Sequence, residues 1–172
     1  MKIPIVDEND NFLYYKDSNE RDLRKEITRS SALWVLNENG EILLAKRSKN
    51  KLNFPNVWGP SAAGSVEEGE TYEENMVKEA KEEIGINLDK IILGPKKRES
   101  DNHEFFAQYF FAQISFSTHF ILQASEVDEV RWVSLEKLKD WYLQNSEEFL
   151  PSFKISLEVI ENYDNQNKKI KE

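Results

Sequence analysis

One stretch, residues 64–86 with the sequence GSVEEGETYEENMVKEAKEEIGI, limits what this chain can become more than any other. It holds eight glutamates and no aspartate, and Glu79, Glu82 and Glu83 stand at i, i+3 and i+4. On a helix advancing about 100° per residue, those carboxylates share an arc of roughly 100°. Val77, Ala80 and Ile84 fall on the opposite side, so the pattern predicts a helix with one packing face and one carboxylate face. Thr71 is placed to cap its start, Glu74 to complete a capping box, and Gly85 to end it.

Clustered carboxylates repel one another and raise each other's pKa unless a cation compensates. Oxygen donors of this kind suit Mg²⁺ or Mn²⁺. A solvated acidic helix face would have the same spacing, and charge runs are usually surface. Spacing alone leaves both readings open.

The order of residues adds to this. The stretch resembles the Nudix box, G-x5-E-x7-R-E-U-x-E-E-x-G-U with U a bulky apolar residue, and Gly64, Glu70, Glu79, Glu82, Glu83, Gly85 and Ile86 match in register. Lys78 stands where that family has Arg, and Ala80 where it has a larger apolar residue. The resemblance implies the α/β Nudix fold, a mixed β-sheet sandwiched between α-helices. It also implies that Glu79, Glu82 and Glu83 hold Mg²⁺ (or Mn²⁺), with the Gly64 carbonyl and Glu70 completing the shell.

The chain has 172 residues, 39% hydrophobic and 32% charged, which suits a single globular domain over 1–172 with a sizeable core. With no Cys, thiolate metal sites and cysteine nucleophiles are excluded. A net charge of −9 argues against nucleic-acid polymers as partners. An acidic chain can still bind an anionic substrate if a metal and a few Lys or Arg residues reverse the local field. No apolar run approaches the roughly 20 residues of a membrane span, and no basic-then-apolar leader opens the chain, so a cytoplasmic protein without a membrane partner is expected.

Along the chain, residues 3–16 read as an opening hairpin and 17–26 as a connector. Residues 30–36 and 41–47 form the clearest hairpin, with Asn39 and Gly40 expected to supply the positive φ angles of its turn and Trp34 expected in the core. A strand is expected over 88–93, ending before Pro95, then an antiparallel pair from 105–116 and HFILQ at 119–123. Ser134 should cap a helix over 135–144. A final helix at about 151–163 should bury Phe153, Leu157 and Ile160, leaving a frayed tail at 164–172.

Between the hairpin and the box lies KRSKNKLNFPNVWGPSAAG, which is similar to the isopentenyl-diphosphate isomerase-like subgroup of Nudix proteins. In that likeness Arg47 and Lys51 take the positions that contact the substrate diphosphate. The isomerase's catalytic Cys and metal-binding His are replaced by Ala63 and Ser65, and only His103 and His119 remain in the chain, so isomerase chemistry is not expected. Farther on, Glu126 lies six residues before Trp132, where some family members place an added metal ligand or base, and Glu104 is a further metal candidate.

The reaction implied is hydrolysis of a pyrophosphate bond in a small-molecule diphosphate, by default a nucleoside diphosphate linked to another moiety. In it Glu79 or Glu126 takes a proton from the attacking water, Arg47 and Lys51 hold the non-reacting phosphate, and Lys78 orients the carboxylates. The alternatives are a ligand-binding or regulatory Nudix domain that catalyses little and, behind it, the isomerase. Ser100 and Asp101 occupy positions where other subfamilies carry Pro or Tyr markers, so the substrate stays open. A homodimer is a further expectation.

Overall fold

In a computed structural model that describes residues 1–171, with the backbone alone described over 168–171, the chain forms a mixed sheet flanked by helices. Strands β1 (Lys2–Val6) and β2 (Phe12–Asp17) are the expected opening hairpin. β3 (Ile27–Leu36) pairs antiparallel with β4 (Ile42–Arg47), and β4 pairs with β5 (Trp58–Gly59). The short strand β6 (Ala62–Ser65) returns along β3 and feeds helix α1 (Tyr72–Ile84). β7 (Ile92–Ser100) and β8 (Glu104–Gln113) follow, then β9 (Val127–Val133), α2 (Leu135–Gln144) and α3 (Phe153–Lys171).

β3 organises the sheet because both of its faces are buried. Ala32, Trp34 and Leu36 point into a core with Phe153, Leu157 and Ile160 of α3, while Leu33 and Val35 meet Met76, Ala80 and Ile84 of α1. A strand covered on both faces reads as a continuous apolar run, as ALWVL does. Its partner β8 runs parallel to it over ten residues, Ile27↔Glu104 through Leu36↔Gln113. Trp34 is fully buried, edge-on to Phe153 at 5.9 Å.

Several expectations need correction. Gly40 alone of the turn pair has positive φ, +76°, and the Asn37 side-chain carbonyl accepts from the backbones of Asn39 and Glu41. The strand expected at 88–93 instead spans Ile92–Ser100. Pro95 is tolerated because it falls in the register shift between Leu93 and Lys96 on a strand that pairs only with β8. HFILQ is not a strand. Ile121 N–H donates to the Ile84 carbonyl and Gln123 N–H to the Glu83 carbonyl, so this segment satisfies the end of α1 rather than a ladder. Val77 is 39% exposed, and Met76 takes its place in the core. α3 continues helically through 164–171, where fraying was expected, and Glu172 lies outside the described residues. Among the described residues no helix is long and apolar enough to cross a membrane.

Candidate active site

α1 begins and ends as its sequence dictates. Thr71 Oγ accepts from Glu74 N–H at 3.2 Å while Glu74 accepts from Thr71 N–H at 2.8 Å, a reciprocal capping box. Gly85, left-handed at φ 73°, donates back to the Ala80 carbonyl. The carboxylates are not opposite the packing face but overlap its margin. Glu83 is only 9% exposed, on the same side as Met76 and Ala80.

Glu79, Glu82 and Glu83 line one cavity of about 480 Å³, together with Gly64, Arg47, Lys51 and Glu126. Glu83 accepts from Ala63 N–H at 3.0 Å. Burial, with Glu79 and Glu126 nearby, pushes its carboxyl up to about 8, against the pull of the Ala63 N–H. Burial likewise pushes Glu79 up to about 7, reinforced by Glu82 and Glu70 and opposed by Lys78. Gly64 lets this cluster form. A methyl group on its α-carbon would overlap the Glu79 side chain.

The basic loop and the late acidic loop are joined. Lys51 Nζ forms an ion pair with Glu126, Ser48 N–H donates to the Glu126 carbonyl at 2.8 Å, and Lys49 N–H donates to Asp128 at 2.9 Å. The anchoring of 121–123 on the end of α1 brings Glu126 beside Glu83. Arg47 gives Nε to the Phe54 carbonyl at 3.0 Å and Nη2 to the Asn53 carbonyl at 2.9 Å. It thereby steadies a loop in which Phe54 and Asn56 both adopt positive φ.

Two expected ligands lie elsewhere. Glu70 does not border the cavity; it accepts from Glu67 N–H and Asn75 Nδ2 at 3.0 Å each and pairs with Lys78 at 2.7 Å, so it closes the loop before α1. Glu104 faces away, since strand alternation turns Phe105 to the cavity and Glu104 to Arg98 at 2.6 Å. Lys78 also reaches Glu67 at 2.8 Å and Glu79 at 3.8 Å. Its ammonium is held above the usual lysine range by Glu67 and Glu70 despite the opposing effect of burial.

Sequence reasoning missed Asn75. Fully buried, its amide donates to the Ser65 carbonyl at 3.0 Å, to Glu70 at 3.0 Å and to Glu79 at 3.3 Å, and its oxygen accepts from Ser31. A polar residue at a buried helix position is the signal that could have found it.

Among the described residues no three acidic or histidine groups converge closely enough to hold a metal ion as they stand. The donor set still fits a hard divalent cation: Glu83 is buried and Glu79 partly buried, Lys51 is paired with Glu126, and Lys78 lies closer to Glu67 and Glu70 than to Glu79.

A mixed sheet between helices thus sets a loop and helix carrying three carboxylates against a basic loop around one cavity. Residues 26–153 match the family model of the NUDIX domain, and the chain belongs to that family. It is an enzyme of the Nudix hydrolase class, as its relatives are named. An uncharacterized Nudix hydrolase of Listeria innocua is 38% identical over 121 residues, 69% of each chain. A prenyl-diphosphate phosphatase of Methanosarcina mazei is 34% identical over 140 residues, covering 79% of this chain and 81% of that one. A Deinococcus radiodurans crystal structure superposes with a TM-score of 0.77 at 23% identity, over 94% of this chain and 98% of that one, and shares the fold.

Proposed function

We propose that the chain hydrolyses the pyrophosphate bond of a small-molecule diphosphate with the help of Mg²⁺ or Mn²⁺. The observation that carries this reading is the meeting of Glu79, Glu82 and Glu83 with Arg47, Lys51 and Glu126 around one cavity. The Glu79, Glu82 and Glu83 carboxylates and the Gly64 carbonyl would hold the metal. When bound, the metal neutralises phosphoryl charge and acidifies water.

The remaining work belongs to side chains. Lys51, which lines the cavity, would hold a phosphate not undergoing attack, and Arg47 supports the loop that presents it. Glu126, paired with Lys51, is released as a proton acceptor when Lys51 turns to phosphate. Lys78 and Asn75 orient Glu79 from behind. Isomerase chemistry lacks its thiol, since Ala63 occupies that place and uses its backbone N–H to hold Glu83.

The test is phosphate release from nucleotide sugars, dinucleotides, nucleotides and prenyl diphosphates, each with Mg²⁺ and with Mn²⁺. Turnover of at least one class is expected, falling about 10²–10³-fold in Glu79→Gln and in Glu83→Gln. Inactivity across the whole panel would instead favour a binding domain.

A further inference from the structure

Besides the acidic cluster, the lining of the cavity includes a second group of residues that the sequence expectations left out. Among them Glu99 of β7, only 3% exposed, borders the space with Tyr109, Ser152 and Ser156. Tyr109 O–H donates to Glu99 Oε1 at 2.5 Å, and the Tyr109 and Ser156 hydroxyls lie 3.1 Å apart. Ser152 also hydrogen-bonds to Glu99. An ionised carboxylate offers about four acceptor positions, so these two donors leave some unfilled. Asp101, on the turn that follows, adds a second carboxylate to the lining; its Oδ1 accepts from His103 N–H at 3.0 Å and lies 2.9 Å from His103 Nδ1, which leaves Oδ2 for a ligand. Arg21 faces the same space, and among the described residues its buried Nε has no hydrogen-bond partner.

A hydrocarbon chain laid beside these residues would return no hydrogen bonds to carboxylates and a guanidinium already largely cut off from water, an unfavourable pairing. A group bearing hydroxyls or amines supplies donors to Glu99 and Asp101 and an acceptor to Arg21. Burial already pushes the Glu99 carboxyl above its ordinary range, which reflects the cost that such a donor would relieve.

We propose that this second group of lining residues, centred on Glu99, forms the specificity pocket for the group attached to the diphosphate, and that it selects a polar, hydrogen-bond-donating moiety such as a sugar over a hydrocarbon. The proposal rests on the diphosphate-hydrolase reading for the orientation of the substrate. Glu99 then determines which diphosphates enter, without touching the reacting atoms.

Binding tests this apart from turnover. Calorimetry on Glu79→Gln, with Mg²⁺ present, compares ADP-ribose, UDP-glucose and geranyl diphosphate. At least one of the two sugar-bearing ligands should bind about tenfold or more tightly than geranyl diphosphate, and adding Glu99→Leu should erase that preference. Should Glu99→Leu fail to fold, Glu99→Gln, which retains an acceptor for Tyr109, should weaken the sugar-bearing ligand several-fold and leave geranyl diphosphate unchanged. Equal or tighter binding of geranyl diphosphate, no binding of either sugar-bearing ligand, or a preference indifferent to Glu99 overturns the proposal. If the selectivity is found while the parent protein cleaves nothing in the full panel of diphosphates, the pocket stands and the hydrolase reading falls.

Discussion

The Glu79 side chain lies directly against the α-carbon of Gly64, where any added carbon would overlap it. The box glycine and the box glutamate therefore form one steric unit, joining the strand before the loop to the helix after it. Gly64→Ala should displace Glu79 and lower kcat by about 10²-fold, the scale on which small misplacements of catalytic groups act. Circular dichroism should show the fold retained, which separates misplacement from unfolding.

Asn75 supports the same carboxylate through a buried amide. Asn75→Ala leaves Ser31 and the Ser65 carbonyl without their partner and should cost about 1–3 kcal/mol in chemical denaturation. It should also lower metal affinity, since Glu79 loses a donor at 3.3 Å. Asn75→Asp removes the donated hydrogen bonds while keeping the shape and should do worse, because it adds another acid beside Glu70 and Glu79.

Lys78 stands where the family carries Arg, yet it spans Glu67, Glu70 and Glu79. A planar guanidinium orients carboxylates more firmly than a mobile ammonium. Lys78→Arg should therefore match or exceed the parent in kcat/KM, whereas Lys78→Met should lose about tenfold or more. A loss in Lys78→Arg would mean that the loop is fitted to lysine.

The acidic cluster sets a pH signature on the metal-free protein. Glu79 and Glu83 have folded-state pKa values of about 7 and about 8, above the roughly 4.3 of an unfolded glutamate. The folded chain therefore keeps protons that the unfolded chain has already released, and stability is full below the unfolded value and lost as pH rises through the folded ones. Without metal, Tm should fall between about pH 5 and about pH 8.5. Glu83→Gln should flatten the profile, and added Mg²⁺, which favours the ionised carboxylates, should do the same.

What was legible in the sequence is what is local. The caps of α1, the Asn37–Glu41 turn and the amphipathic face of α3 follow from residues a few positions apart, and they stand where expected apart from the φ of Asn39. The box placed its three glutamates on one cavity for the same reason. HFILQ was misread because its backbone groups are satisfied by the distant end of α1, which no window on the segment reveals. Val77 was misplaced because the helix is rotated to bring Glu83 inward, a tilt fixed by packing on β3 and β6. Glu99 carries no motif; only the parallel pairing of β8 with β3 and the antiparallel pairing of β7 with β8 turn it inside.

That parallel ladder between β3 and β8 also governs when the site can exist. Residues 27–36 must find residues 104–113 across the whole intervening chain, a closure with a large entropic cost that is repaid only after it is complete. Glu126 and α3 both follow β8 in the chain, so their docking against the box waits on the same slow search. A fragment ending before β8 would hold the full acidic helix and the basic loop yet have no cavity to act in. In refolding, recovered activity should track the last and slowest phase, making turnover a clock for the completion of the sheet.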